Sequence, residues 1–223
     1  MLHLMGTKGV HLDDSRIGRD IDFLFEMGNI RLINRTWRRF NSPHMSNLAE
    51  HHFRVFWIAM MIASREPGPI DTGKIAKMAL VHDIAESRTG DVDMISRQYA
   101  ERNEELAMAD MLGPTSLDAE FRTLWREYED RASIEAKIVK DADILDCDFE
   151  LAEQAAQGST FRFHAHEIRE FVAENKLYTD TAKAMYAQLK VTNPHNWWKV
   201  TRNRRASGDW SDANQEVAKA PGL

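Results

Sequence analysis

The amino-acid sequence predicts an all-α fold, a single helical bundle in one domain. Apolar residues recur at three- and four-residue steps, and no run alternates apolar and polar residues over the length of a half-buried strand. A chain of 223 residues with 43% hydrophobic residues can form one sizeable core. We therefore expect a helical domain over 17–192, with an N-terminal extension (1–16) and a C-terminal aromatic and basic segment with a mobile tail (193–223).

Periodicity and capping residues define the predicted helices in order. Asp71 is expected to cap the third helix, Thr115–Asp118 to form a capping box for the fifth, and Gly158 to end the longest. The predicted ranges are 17–28, 47–63, 71–87, 97–111, 117–130, 133–157, 167–175 and 179–190. Ile21, Leu24 and Phe25 are predicted to share one face of the first helix.

Composition and charge exclude several classes of function. A net charge of -6 argues against binding of long nucleic acids, and the basic stretch Lys199–Arg205 is expected to be a solvated helix end. The single cysteine, Cys147, excludes an internal disulfide framework and fits a reducing compartment. No run approaches the roughly 18 apolar residues of a membrane span, and no secretory signal is recognisable. We expect a soluble, cytoplasmic protein that is not bound to a membrane.

Polar residues on predicted inward faces indicate a metal site. His51, His82, Asp83 and Asp143 lie on or beside the core-facing lines of three predicted helices. Each histidine alone is more simply a satisfied core residue, but burying all four groups without partners would be costly, and one divalent metal would satisfy them together. Imidazoles and carboxylates suit Mn, Fe, Co, Ni or Zn without choosing among these metals. His52 points away from the His51 face and is expected at the surface.

The order of these residues resembles a known family. His51, then His82-Asp83, then Asp143 resembles the HD-domain metal-dependent phosphohydrolases, and more closely their subgroup of YfbR-like 5'-deoxynucleotidases. The stretches that carry the resemblance are IRLINRTW (30–37), NLAEHHFRV (47–55), LVHDIAESRTGD (80–91) and EAKIVKDADILD (135–146). The resemblance implies an HD-domain bundle, one divalent metal and a homodimer.

The resemblance also implies a role for each matching residue. His51, His82, Asp83 and Asp143 match the metal ligands of the family. Glu86 and Asp91 match the catalytic acidic pair, without an assignment of acid and base. Arg35 and Trp37 match the residues that contact the substrate phosphate and sugar. Thr36 separates these two, whereas bacterial members have Arg and Trp adjacent.

The sequence thus predicts a metal-dependent phosphomonoesterase that hydrolyses (deoxy)nucleoside 5'-monophosphates. No histidine occurs between Asp83 and Asp143, which favours one metal over the two of the family's oxygenases. The alternatives are hydrolysis of another small phosphate ester or nucleotide, and a non-catalytic metal- or nucleotide-binding protein. Trp197 and Trp198 suit either base stacking or packing at a dimer interface. Few basic residues lie near the motifs, which favours a substrate with one phosphate; they are Arg35, Arg38, Arg39, Arg54 and Arg88.

Overall fold

A computed structural model describes residues 14–42 and 44–199, and within them the predicted all-α fold is confirmed. These residues form no β-strand, only an isolated bridge between Asn34 and Asn47. The α-helices are α1 (Asp14–Asn29), α2 (Leu48–Ala63), α3 (Thr72–Val81), α4 (Glu86–Thr89), α5 (Glu104–Leu112), α6 (Asp118–Glu129), α7 (Ile134–Ala156), α8 (Phe161–His164), α9 (His166–Lys176), α10 (Asp180–Val191) and α11 (Asn196–Lys199). Most of the expected extension, basic stretch and tail lies outside the described residues.

The long helix α7 lies at the centre of the bundle. It packs against α2, α3, α6, α8 and α10. Val55 and Ile62 of α2, Met78 of α3, and Ile138 and Leu145 of α7 are fully buried in one contiguous core. Each such side chain contributes about 1.5–3 kcal/mol by leaving water. The core therefore holds together the three helices that carry the predicted metal ligands.

No helix among the described residues has the length and apolar character needed to span a bilayer.

The apolar face of α1 that holds Ile21, Leu24 and Phe25 is not the one that packs against the core. Ile21, Leu24 and Phe25 are exposed, and Phe23 is buried against the core instead. Arg19, one turn before Phe23, donates hydrogen bonds of 2.9 and 2.7 Å to two carbonyl oxygens near the end of α5. These bonds fix the rotation of α1, because Arg19 and Phe23 lie on the same face of the helix.

The single helix predicted over 71–87 is divided into two. α3 ends at Val81 and α4 begins at Glu86. Between them the chain tightens: the Ile84 amide donates to the carbonyl of Val81 and the Glu86 amide to that of Asp83, each three residues back. The division places the His-Asp pair at a helix end rather than within a regular helix.

Two other predicted boundaries also differ from the structure. The helix predicted over 97–111 is wrong at its start, because α5 begins only after Asn103, whose side chain accepts the Leu106 amide at 3.0 Å. The predicted capping box is wrong as well. The Thr115 hydroxyl accepts the Leu117 amide at 3.2 Å, which is a local turn, and α6 begins without a side-chain cap.

The segment before α2 is fixed to the start of that helix. The Leu48 amide donates to the carbonyl of Ile33 at 2.8 Å, and the Arg35 amide donates to the carbonyl of Ser46 at 3.1 Å. Asn47 begins α2 with a reciprocal capping box, in which Glu50 takes part. This anchoring holds Arg35 beside the N-terminal half of α2, where His51 lies.

Candidate active site

Four predicted site residues converge at one point in the bundle. His51 from α2, His82 and Asp83 from the end of α3, and Asp143 from α7 each offer a ligand atom, and these atoms all lie within 4.8 Å of one another. His51 Nε2 lies 3.2 Å from His82 Nε2 and 3.3 Å from Asp143 Oδ1. Asp83 Oδ2 lies 3.5 Å from His51 Nε2 and 3.4 Å from His82 Nε2.

The outer nitrogens of both histidines are held by acceptors. His51 Nδ1 donates to Asp146 Oδ2 at 2.6 Å, and His82 Nδ1 donates to the carbonyl of Ala79 at 2.9 Å. These partners fix the tautomers, so that both Nε2 atoms are turned toward each other and toward the carboxylates of Asp83 and Asp143.

The electrostatics of this cluster favour a cation. Burial lowers the pKa of His82 and keeps that ring neutral. Burial also opposes charge on His51, but hydrogen bonds to Asp143, Asp146 and Asp83 outweigh it and raise the pKa of that ring. Without a metal, a proton on His51 therefore supplies the positive charge between the carboxylates. Two imidazole nitrogens and two carboxylates are a donor set that suits a divalent transition metal, which would replace that proton.

Asp146 is a buried neighbour of the cluster that the sequence analysis did not single out. It is buried, as is the His51 ring that it holds. Its carboxylate also lies 3.5 Å from the guanidinium of Arg54. The signal was present in the sequence, because Asp146 follows Asp143 by three residues and so lies on nearly the same face of α7.

The surface position expected for His52 is wrong. The His52 ring is buried and packs against His82, with 4.5 Å between the ring centroids and 34° between the planes. Burial, together with the charge that His82 and His51 can carry, lowers the pKa of His52 well below its usual value. The neutral ring of His52 therefore packs against the imidazole of His82. Helical spacing from His51 did not predict this contact, because His82 lies beside α2 rather than beneath it.

Glu86 lies beside the cluster as a buried carboxyl group. Burial, followed by the charges of Asp83 and Asp91, raises the pKa of Glu86 to about 9. Its Oε1 accepts a hydrogen bond of 3.1 Å from Arg102, and its Oε2 is buried without a hydrogen-bond partner. Arg102, which the sequence analysis did not single out, also pairs with Glu104 at 2.8 Å. At neutral pH, Glu86 in the metal-free protein therefore holds a proton.

Arg35 and Asp91 lie beside the cluster and line the same cavity as Glu86. Arg35 lies 3.6 Å from Asp83 and 3.7 Å from Asp91, and the backbone amide of Thr36 donates to Asp91 at 2.9 Å. Thr36, which separates Arg35 from Trp37, thus holds Asp91, one of the two candidate catalytic acids, through its backbone amide. Trp37 packs against an aromatic ring of α8, that of Phe161, and lines the same cavity as Arg35.

These side chains line a cavity of about 330 Å³, which lies within the usual range for small-molecule sites. Of the basic residues near the sequence motifs, only Arg35 lines it. Arg38, Arg39, Arg54 and Arg88 are bonded to other groups of the protein. Other basic residues line the cavity in their place: Arg97, Arg102, Arg131, Lys140 and Arg169. The count of basic residues near the motifs therefore underestimated how many basic side chains line the cavity, because those side chains come from outside the motifs or were not counted within them.

Comparison with known proteins agrees with this arrangement. The family model described as HD domain matches residues 27–186. The human protein named 5'-deoxynucleotidase HDDC2 is 34% identical over 129 residues, which cover 55% of this chain and 62% of that protein. The Photorhabdus temperata protein named 5'-deoxynucleotidase yfbR is 27% identical over 152 residues, covering 62% of this chain and 76% of that protein. The chain thus spans about three fifths of the length of the human relative.

Solved structures show the same fold. A predicted metal-dependent phosphohydrolase from Magnetospirillum magnetotacticum superposes with a TM-score of 0.64 at 25% identity, over 79% of this chain and 94% of that chain. A conserved hypothetical protein from Pyrococcus furiosus superposes with a TM-score of 0.65 at 24% identity, over 77% of this chain and 99% of that chain. The family match covers most of the helical bundle, including all four clustered residues. This chain therefore belongs to the HD domain family.

Proposed function

We propose that this protein is a metal-dependent phosphomonoesterase that hydrolyses (deoxy)nucleoside 5'-monophosphates to nucleoside and phosphate. The observation that carries the proposal is the four-residue cluster beside the buried carboxyl group of Glu86, in a cavity that Arg35 also lines. Proteins named 5'-deoxynucleotidase among the relatives support the substrate class.

In this proposal His51, His82, Asp83 and Asp143 hold one divalent metal, which is Mn, Co, Fe, Ni or Zn. The bound metal neutralises phosphoryl charge and lowers the pKa of water. Asp146 and the carbonyl of Ala79 hold the two rings so that Nε2 of each faces the ion.

Glu86 and Asp91 carry the proton transfers. Hydrolysis forms a bond from a water oxygen to phosphorus and breaks the bond from phosphorus to the 5'-oxygen, which must gain a proton. Glu86, whose pKa in the metal-free protein is raised by burial and by the charges of Asp83 and Asp91, supplies a proton to the leaving oxygen. Asp91, fixed by the Thr36 amide, accepts the proton of the attacking water.

Arg35 and Trp37 bind the substrate. The planar guanidinium of Arg35 donates to phosphate oxygens, and its contacts to Asp83 and Asp91 keep it at the edge of the metal cluster. Trp37 packs against the sugar, and its contact with Phe161 limits the orientations of its ring.

We also propose a cytoplasmic homodimer. Phe53, Trp57 and Met61 recur at four-residue steps on the outer face of α2 and are each at least half exposed. Such an apolar stripe is typical of an interface. The buried free thiol of Cys147 is compatible with a reducing compartment. Trp57→Lys should halve the mass measured by light scattering, and Phe163→Lys, on the exposed face of α8, should leave it unchanged. A monomeric mass for wild type would contradict the dimer, and a dimeric mass for Trp57→Lys would contradict the α2 stripe as its interface.

Phosphate release from nucleoside 5'- and 3'-monophosphates, ribo and deoxy, tests the proposed activity. The protein is stripped with a chelator and resupplied with Mn, Co, Mg or Zn. We expect release from 5'-monophosphates only, with deoxy substrates preferred, and loss of release in Glu86→Ala with metal content retained. Absence of release from all substrates by a folded, metal-loaded protein would contradict the proposal.

A further inference from the structure

The backbone of Arg131 has a conformation that arginine rarely adopts. Arg131 lies two residues after the last residue of α6 and has φ of 52°, in the left-handed region. The Ala132 amide donates to the carbonyl of Glu127 at 3.1 Å, which closes the end of the helix in the usual manner of a glycine at this position. Glycine or asparagine would satisfy the backbone with less strain. The local fold therefore does not require an arginine at this position.

The guanidinium of Arg131 is held in place but lacks a polar partner. Its Cζ lies 4.1 Å from the ring centroid of Tyr128, a stacking contact that orients the group. Its Nη1 is buried and has no hydrogen-bond partner. Among the described residues, no carboxylate forms an ion pair with it. Arg131 lines the cavity, where an anionic ligand would supply the partner that its guanidinium lacks.

Lys140 adds a second cation on the same wall of the cavity. Its Nζ lies 2.7 Å from Asp143 Oδ2 and 5.9 Å from the ring centroid of Tyr128. The Tyr128 hydroxyl donates to the same carboxylate oxygen at 3.3 Å. An ammonium group has three donors, so the contact with Asp143 leaves capacity for a ligand. Arg131 and Lys140 thus lie around Tyr128.

Lys140 and Arg35 contact different carboxylates. Arg35 contacts Asp83 and Asp91, whereas Lys140 contacts Asp143. All of these cations line the same cavity as Arg131. One phosphate group bound by Arg35 would leave the guanidinium of Arg131 without an anionic partner.

We propose that Arg131 and Lys140 bind a second phosphate group, so that the site accepts nucleotides that carry two. This inference rests on the proposed function, in which Arg35 binds the first phosphate. The shared chemistry is a nucleoside with two phosphate groups, either joined as a 5'-diphosphate or separate as a 3',5'-bisphosphate.

Titration calorimetry with pyrophosphate and with inorganic phosphate tests the second position without turnover. In the metal-loaded protein, Arg131→Gly should weaken pyrophosphate binding about 10-fold more than phosphate binding, the usual effect of one charge-assisted hydrogen bond. The melting temperature should stay equal or rise, because glycine adopts positive φ without strain. If Arg131→Gly does not fold, Arg131→Gln removes the same charge.

Arg126→Gln is the matched control. It removes one positive charge from α6, at an exposed pair with Glu105, and should leave the ratio of the two affinities unchanged. Equal weakening of both anions by Arg131→Gly would mean a single anion position, and no weakening of either would mean that Arg131 only stabilises the helix end. Either result would overturn the proposal.

Steady-state kinetics then distinguish the two sources of the second phosphate. In both substrates water attacks the phosphorus bonded to the 5'-oxygen and that bond breaks: the 5'-diphosphate yields nucleoside and pyrophosphate, and the 3',5'-bisphosphate yields nucleoside 3'-phosphate and phosphate. We expect wild type to process one of these two substrates with a higher kcat/KM than the 5'-monophosphate, measured by release of the nucleoside product, and Arg131→Gly to reduce that preference about 10-fold. Unchanged preference in Arg131→Gly would refute the inference while leaving the proposed function intact. A wild-type protein that releases no phosphate from any substrate would refute the proposed function, whereas the anion titrations would still decide the binding position.

Discussion

Replacing Asp146 with asparagine should weaken metal binding by about 10- to 100-fold without unfolding the protein. Asp146 accepts a hydrogen bond of 2.6 Å from His51 Nδ1, and both side chains are buried. The carboxylate fixes the ring orientation and makes Nε2 a stronger donor to the metal. An asparagine side chain can still accept the hydrogen bond through its oxygen, but it lacks the negative charge.

The expected loss of metal affinity is about that of one charged hydrogen bond. A 10- to 100-fold change corresponds to about 1.4–2.7 kcal/mol of binding free energy, in the range measured for charged hydrogen bonds. Asp146 also lies 3.5 Å from Arg54, which keeps a second partner in Glu153 at 2.8 Å when Asp146 is neutralised. The loss should therefore concentrate on His51. Asp146→Ala should have the larger effect, because it leaves Nδ1 without any acceptor.

The assay is competition for Mn²⁺ or Zn²⁺ between the protein and a chelating indicator, with thermal unfolding of the metal-free protein as a check on the fold. Glu153→Gln is the control, since it also removes a carboxylate from α7 beside Arg54 but does not contact His51. Metal affinity of Asp146→Asn within two-fold of wild type, in a folded protein, would refute the role given to this residue.

Three further perturbations test the fold and the electrostatics. Glu86 has a pKa of about 9 in the folded, metal-free protein against 4.5 for the free side chain, so the stability it contributes is full below pH 4.5 and is lost as the pH rises toward 9. In thermal melts of the metal-free protein, wild type should lose up to about 1.4 kcal/mol of unfolding free energy per pH unit relative to Glu86→Gln. Parallel pH dependences of the two proteins would contradict this. Burial raises the pKa of Cys147 to about 12, so a thiol reagent at pH 8 should modify it only after denaturation; fast labelling of the folded protein would show the thiol to be accessible. Asp141 accepts hydrogen bonds from the backbone amides of Tyr178 and Thr179 at 2.7 and 2.8 Å. Asp141→Ala should therefore lower the free energy of unfolding, measured in urea, by roughly 1–3 kcal/mol for each amide left without an acceptor. An unchanged unfolding midpoint would be inconsistent with those bonds.

The sequence predicted the fold class and most helices because those depend on local periodicity and capping. The longest predicted helix, 133–157, agrees with α7 to within one residue at each end, since Ser133 caps its start and Gly158 adopts φ of 96° after its end. The inward face of α1 could not be predicted, because it depends on the contact of Arg19 with carbonyl groups about 90 residues away. The division of the predicted helix at the His-Asp pair likewise depends on packing around the site.

The sequence singled out the four clustered residues but not the side chains that surround them. Sequence order and family resemblance singled out His51, His82, Asp83 and Asp143, and the structure brings them within 4.8 Å. Their supporting residues come from positions that helical spacing does not connect. His52 packs on His82 across two helices, and the cations around Tyr128 come from the end of α6 and from α7.

Activity measured as a function of metal content tests the central claim most directly. Chelator-treated protein is titrated with Mn²⁺, the bound metal is counted by mass spectrometry, and phosphate release from a deoxynucleoside 5'-monophosphate is followed at each step. Our account predicts no release without metal, a linear rise to one metal per chain, and neither binding nor release in Asp83→Asn. Full activity in the metal-free protein, or metal bound at one per chain with Asp83 replaced, would contradict it.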